Sequence, residues 1–204
     1  MESFLNKSNE KPESSKKDYR KTVLSYLHDL TYLLSGILLV FLLLFRVVVV
    51  SGSSMNNTLI NGDYILLLNN MFCGEPEYGD IVVVSKDSFK DGEPIIKRVI
   101  ATEGQTVKIV KTSLTQSSVY VDDVLLDEPY IASPTKNDNF SVTVQKGCVF
   151  VMGDNRAVSQ DSRSSEIGQV DCREILGKAL FLFLPGSDPL TKNRDYNRIG
   201  VLTW

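Results

Sequence analysis

Three short segments of the chain gather residues able to do covalent chemistry. Ser51-Gly52-Ser53-Ser54-Met55-Asn56-Asn57-Thr58-Leu59 clusters hydroxyls around a glycine, and Ile95-Ile96-Lys97-Arg98-Val99-Ile100 sets two cations in an apolar run. Met152-Gly153-Asp154-Asn155-Arg156-Ala157-Val158-Ser159-Gln160-Asp161-Ser162-Arg163 mixes carboxylates, guanidiniums and a further serine. Each alone is ordinary: a serine–glycine turn, a solvated strand lysine, a tight Gly-Asp-Asn turn. Together they point to nucleophilic catalysis. A serine hydroxyl is a poor nucleophile until a base takes its proton. With a single histidine, His28, in the chain, that base is sought among the carboxylates and lysines.

Lys97 has suitable surroundings. In a strand, residues two apart share a face, which puts Lys97 beside Ile95 and Val99 and Arg98 beside Ile96 and Ile100. Periodicity does not choose between the two cations, but proton chemistry does, because a guanidinium is not deprotonated in proteins. A lysine base working near neutrality must fall from about 10.4 to about 7–8, and apolar neighbours push in that direction by disfavouring the charged form.

The elements that must position these groups are mostly strands. Period-two or short apolar runs occur at Val47–Val50, Tyr64–Leu68, Ile81–Val84, Ile95–Ile100, Thr106–Val110, Val119–Leu125 and Cys148–Met152. Asn61-Gly62-Asp63, Tyr78-Gly79-Asp80, Asp91-Gly92 and Lys146-Gly147 supply turns between them. One short helix is expected over 168–176. The fold class is mainly β, with an antiparallel catalytic domain over 47–103 and 143–204 and a more polar, β-rich inserted region over 104–142.

Ahead of these strands the chain changes character. Residues 1–23 form a polar tail, and Leu30–Phe45 is almost wholly apolar. Those 16 residues span roughly 24 Å as a helix, and extension back to Leu24 brings the length to about 33 Å, enough for a ~30 Å hydrocarbon core. A transmembrane helix is therefore expected over 24–46. Lys16, Lys17, Arg20 and Lys21 precede it, whereas after Arg46 the next cation is Lys86. The positive-inside rule then places the N-terminus in the cytoplasm and the β domain outside. Ser54 lies eight residues beyond Arg46, at most about 29 Å of extended chain, so it stays near the membrane surface. A serine–histidine pair using His28 fails on this topology.

Composition excludes several other classes. Lys and Arg number 22 against 25 Asp and Glu, so the chain lacks the basic surface of a nucleic-acid binder. Cys73, Cys148 and Cys172 are widely spaced, odd in number and without a CxxC. Free thiols are expected, with no zinc site, no metal and no cofactor.

The three segments, in this order behind an N-terminal anchor, resemble those of bacterial type I signal peptidases, a family of Ser/Lys-dyad membrane proteases. Ser54-Met55-x-x-Thr58-Leu59 is similar to the family's serine box, and Gly62-Asp63-Tyr64 and Gly79-Asp80-Ile81-Val82 to the strands that follow. Lys97-Arg98-Val99-Ile100 is similar to the lysine box, and Gly153-Asp154-Asn155-Arg156 with Ser159-x-Asp161-Ser162-Arg163 to the last box. The resemblance implies a large antiparallel β domain with a smaller inserted β region. It also implies removal of signal peptides from exported preproteins after small residues, with membrane lipid as the other partner. Ser54 would be the nucleophile and an oxyanion donor through its N–H, and Lys97 the general base. Ser159 would hydrogen-bond and orient the lysine, while Asp161, Arg163 and Asp154 would hold the surrounding loop. Met55 is the candidate for a substrate-pocket wall.

The chain departs from the family pattern at several places. Asn57 replaces the usual proline, Gly52 a hydroxyl that assists the oxyanion hole in some members, and Ala157-Val158 an Asp-Asn pair. Two other readings compete. A self-cleaving Ser/Lys repressor would need a DNA-binding module where this chain has an anchor, and a non-catalytic binder of exported proteins would have no use for the intact Ser54, Lys97 and Ser159.

Overall fold

The computed structural model describes residues 13–86, 89, 92–136, 139–188 and 191–202, with side chains from residue 19 onward. Residues 1–12 of the expected tail, the side chains of Lys16 and Lys17, and Asp91 of the Asp91-Gly92 turn lie outside the described residues. The chain divides into two units, Met1–Leu43 and Leu44–Trp204.

The first unit is one helix, α1 (Glu13–Leu44). Its stretch Tyr19–Leu44 is 26 residues long and apolar enough to cross a membrane, about 39 Å at 1.5 Å per residue. Leu38, Leu39 and Leu42 are all more than half exposed. Thr31 is accommodated because its hydroxyl donates to Leu27 O at 2.7 Å, within the helix. The helix stops two residues short of the expected 46: Phe45 and Arg46 already belong to a strand, drawn into pairing with Leu68 and Leu67.

In the second unit, β1 (Phe45–Val49), β2 (Tyr64–Asn69), β3 (Ile81–Val84) and β4 (Ile95–Ala101) are followed by β5 (Thr106–Lys111), β6 (Ser117–Val121), β7 (Val124–Leu125) and β8 (Phe140–Thr143). Then come β9 (Cys148–Met152), β10 (Val170–Asp171), β11 (Ile175–Leu184) and β12 (Gly200–Val201). The main sheet runs β1-β2-β11-β3-β4-β9-β10, with β12 on β11, and a second sheet runs β7-β6-β5-β8. All these pairings are antiparallel. Ile100, Ala101, Phe150 and Met152 of the main sheet pack with Val107, Ile109, Val119 and Val121 of the second, so one apolar cluster joins the sheets.

Two expectations need correction. The helix expected over 168–176 is one 3₁₀ turn, Cys172–Glu174, between β10 and β11. Asp171 and Glu174 form a capping box there, a helix-start signal, but the following Ile175–Leu184 satisfies its backbone by pairing with β2 and β3 instead. The single strand expected over Val119–Leu125 is a hairpin, turned by Asp122 (φ 49°) and Asp123 (φ 66°). Two successive left-handed residues are the requirement of a tight type I′ turn, and here two aspartates meet it without glycine. β11 was not anticipated, yet it lies inside the sheet, between β2 and β3. Gly177 permits this: an added Cβ would overlap Leu68 O of the neighbouring β2.

Candidate active site

Ser54 lies in the loop between β1 and β2. Val50 N donates to Asp63 O and Gly62 N to Val50 O, both at 2.8 Å, which cinches the loop's two ends. Gly52, at φ +90°, supplies a backbone reversal that an L side chain resists. Leu59 N bonds Met55 O at 2.8 Å, making one helical turn, and both side chains are fully buried in the core of β2, β3 and β11. Burial of Met55 and Leu59 pins the turn, so Ser54, one residue before Met55, stands half-buried and accessible. Met55, the candidate pocket wall, is only 2% exposed and packs in that core, so it anchors the Ser54 loop.

Lys97 comes from the middle of β4, paired with Val82, and is 3% exposed. Its Nζ donates to Ser54 Oγ at 2.9 Å and to Ile96 O at 3.0 Å. A buried amine within hydrogen-bond distance of a half-exposed hydroxyl can, when neutral, take that hydroxyl's proton.

The last box holds the other side of the site. Asn155 N donates to Ser54 O at 2.9 Å, and Asn155 Nδ2 to Ser53 O at 3.1 Å. Both serine carbonyls are thereby turned toward Asn155. Sequence reasoning quoted Asn155 without giving it a role; its only signal was its place in the box. The Ser159 hydroxyl, expected to hold the lysine, makes a long 3.5 Å bond to Gln160 O and a hydrogen bond to Asp161, and its backbone N–H donates to Asn155 O at 3.0 Å. Ser159 does border the site through Gly153, wedged between Ser159 and the Ser54 carbonyl. An added Cβ at Gly153 would overlap Ser159 Oγ and lie 2.6 Å from Ser54 O. Gly153→Ala is accordingly expected to lower kcat/KM on the order of 10²-fold, the usual cost of misplacing a reacting group by about 1 Å, as checked by steady-state kinetics beside a thermal melt.

Asp161 and Arg163 staple this loop. Arg163 donates to Asp161 Oδ1 at 2.7 Å and Oδ2 at 2.8 Å, and also to Arg156 O at 2.9 Å. Gly153 N donates to Asp161 Oδ2 at 3.0 Å. Burial opposes the Asp161 charge, but the Arg163 hydrogen bonds and charge and the Gly153 N–H outweigh it, holding the carboxyl below its ordinary value of 3.8. A carboxyl with a depressed pKa contributes stability that is full above its unfolded value and is lost as pH falls through the folded one. Thermal melts below about pH 4 are therefore expected to fall more steeply for the wild type than for Asp161→Asn.

Arg98, on the opposite face of β4 from Lys97, is wholly buried. It donates to Asp154 Oδ1 at 2.8 Å and Oδ2 at 2.6 Å, and to Gly79 O at 2.9 Å. The Thr58 hydroxyl also donates to Asp154 Oδ2, and the guanidinium lies 4.1 Å from the centre of the Tyr130 ring. Asp154 thus ties three segments together: the nucleophile loop through Thr58, β4 through Arg98, and its own box. Arg156, also without a role in the sequence reading, pairs with Glu128 and bonds Thr135 at 2.9 Å. The Gly52 N–H is committed to Asn61 Oδ1 at 3.0 Å. Among the described residues, no group of His, Cys, Asp and Glu side chains is arranged to hold a metal ion.

The chain is similar to known proteins. Residues 23–184 match the family model of signal peptidase, peptidase S26. A signal peptidase I of Bacillus amyloliquefaciens is 36% identical over 156 residues, covering 71% of this chain and 77% of that protein. Signal peptidase I T of Bacillus subtilis (strain 168) is 32% identical over 190 residues, covering 86% and 94%. The crystal structure of a signal peptidase I from Enterococcus faecalis V583 is 30% identical with a TM-score of 0.41, covering 51% of this chain and 96% of that one. The chain therefore belongs to the signal peptidases of the S26 family and is a serine endopeptidase.

Proposed function

We propose that Ser54 and Lys97 form the dyad that cuts signal peptides from exported preproteins, and that α1 anchors the enzyme with its N-terminus in the cytoplasm and its β domain outside. The 2.9 Å contact between Lys97 Nζ and Ser54 Oγ carries this reading. A neutral Lys97 takes the Ser54 proton while Oγ bonds the scissile carbonyl carbon, whose oxygen becomes an oxyanion facing the Ser54 N–H. The resulting ammonium gives that proton to the leaving amine as the C–N bond breaks, leaving the signal peptide esterified to Ser54. Lys97 then deprotonates a water that attacks the ester, and Oγ leaves with the proton restored.

The carbonyls of Ser53 and Ser54 are held by Asn155, which fixes the peptide planes beside Oγ and with them the Ser54 N–H that serves the oxyanion. The basic residues Lys16, Lys17, Arg20 and Lys21 in the first turns of α1, and the absence of Lys or Arg between Arg46 and Lys86, support the orientation. Anchoring also presents the site to substrates held in the same bilayer by their own apolar segments, raising effective concentration. The test is a set of preproteins differing at the first and third residues before the junction, incubated with the detergent-solubilised enzyme and mapped by mass spectrometry. One cut after a small residue, lost when either position carries a large side chain, is expected. Cleavage indifferent to both positions would reject the signal-peptide specificity.

A further inference from the structure

We propose that Arg198, in the C-terminal turn, is a positioning residue for the dyad and clasps the nucleophile loop in its working geometry. The proposal rests on Ser54 being the nucleophile. It concerns a residue beyond 184, where the match to the family model ends.

The clasp centres on Asp63, whose side chain is fully buried at the close of the nucleophile loop. Four donors converge on its carboxylate. Ile60 N and Gly186 N each donate at 2.7 Å, and Arg198 donates through Nη1 at 2.9 Å and Nη2 at 2.7 Å. Main-chain donors supply hydrogen bonds but no net charge, and a buried carboxylate requires a paired cation. Arg198 supplies it with a two-pronged fork that fixes direction as well as charge.

The same guanidinium reaches further, since Arg198 Nη2 also donates to Thr58 O at 3.0 Å. Thr58 is therefore held from two sides: its hydroxyl by Asp154 beside Arg98, its carbonyl by Arg198. It sits in the one helical turn that carries Ser54, four residues upstream. A shift of Thr58 is passed to Ser54 through that turn.

The rest of the segment is built to deliver Arg198 to this place. β12 pairs with β11 through Gly200 and Leu182, and Leu202 N bonds Leu180 O at 2.8 Å. Asp195 caps the turn by accepting from Asn197 N at 3.0 Å. On the other side of Asp63, an added Cβ at Gly186 would overlap Asn61 O and stand 2.9 Å from Asp63 N. The nucleophile loop is thus pressed against the exit of β11 and locked there by Arg198. Lys97 sits on β4, whose Arg98 meets the loop at Thr58 by a long 3.4 Å bond, whereas the clasp grips the loop through Thr58 O and Asp63. Losing Arg198 therefore moves one partner of the dyad relative to the other, and the cost falls on turnover.

The test compares full-length Arg198→Met, Arg198→Lys and Arg194→Met with the wild type in detergent, reading kcat and KM on one preprotein and amide exchange over residues 54–63. Arg194 is the control, because its guanidinium bonds Pro185 O at 2.6 Å and no atom of the Ser54–Leu59 turn. Arg198→Met is expected to lose kcat by 10–100-fold with KM within twofold, and to exchange faster over 54–63. Arg198→Lys, which keeps a cation at Asp63, is expected to fold and to recover part of both. Arg194→Met is expected to match the wild type. Wild-type kcat and exchange in Arg198→Lys and Arg198→Met, or an equal fall in Arg194→Met, would overturn the clasp. An inert wild type would instead refute the dyad reading, and exchange over 54–63 alone would then decide whether Arg198 holds the loop.

Discussion

Lys97→Met is expected to abolish cleavage and leave the fold intact. The Lys97 amine is almost wholly buried, on a central strand, and its polar contacts include Ser54 Oγ and Ile96 O. Methionine is close to it in length and is apolar, so the strand keeps its packing. The buried site loses hydrogen bonds worth about 1 kcal/mol each but no longer has to bury an amine. A shift in Tm of no more than about 2–4 °C per kcal/mol follows for a domain of this size. Catalysis has no such compensation. Among the described residues of the β unit, Lys97 is the base hydrogen-bonded to Ser54 Oγ. The loss in kcat/KM is expected on the order of 10⁴-fold or more, and Lys97→Met with Ser54→Ala should lose no more than either alone, because the two act as one unit. Kinetics on the two single variants and the double variant, beside thermal melts, check both halves of this expectation.

Asp154→Ala should do the opposite, damaging fold and activity together. It would strand the Arg98 guanidinium in a site with no exposure and release the Thr58 hydroxyl. Removing one partner of a buried ion pair costs about 3–5 kcal/mol, a fall in Tm of roughly 6–20 °C here. Arg98→Met should cost a similar amount by leaving the Asp154 carboxylate unpaired. The double variant should cost less than the sum of the two, since no lone charge remains buried. Thermal melts of all three proteins test this. Additive losses would mean that the two residues do not act as a pair.

The contrast between Lys97 and Arg98 shows how much of the site is legible in the sequence. Strand periodicity put them on opposite faces of β4, and proton chemistry picked Lys97; the structure sets Lys97 against Ser54 and Arg98 against Asp154. The partners themselves lie 43 and 56 residues away, a distance over which local pattern carries no information. Arg198 and Asp63, 135 residues apart, were invisible for the same reason. β11 escaped because a ten-residue strand with bulges breaks the period-two signal, and a capping box just before it mimics the start of a helix. The burial of Met55 was not legible because its neighbourhood in sequence is polar, whereas its neighbourhood in space is the core.

The most direct measurement is one cleavage reaction run in parallel with three full-length proteins in detergent: wild type, Ser54→Ala and Lys97→Met. A preprotein with a small-x-small junction is the substrate, and the products are mapped by mass spectrometry. The predicted result is a single cut at the junction by the wild type and none by either variant, all three melting as folded proteins. The same cut made by Ser54→Ala, or by Lys97→Met at a rate near that of the wild type, would contradict the assignment of the dyad.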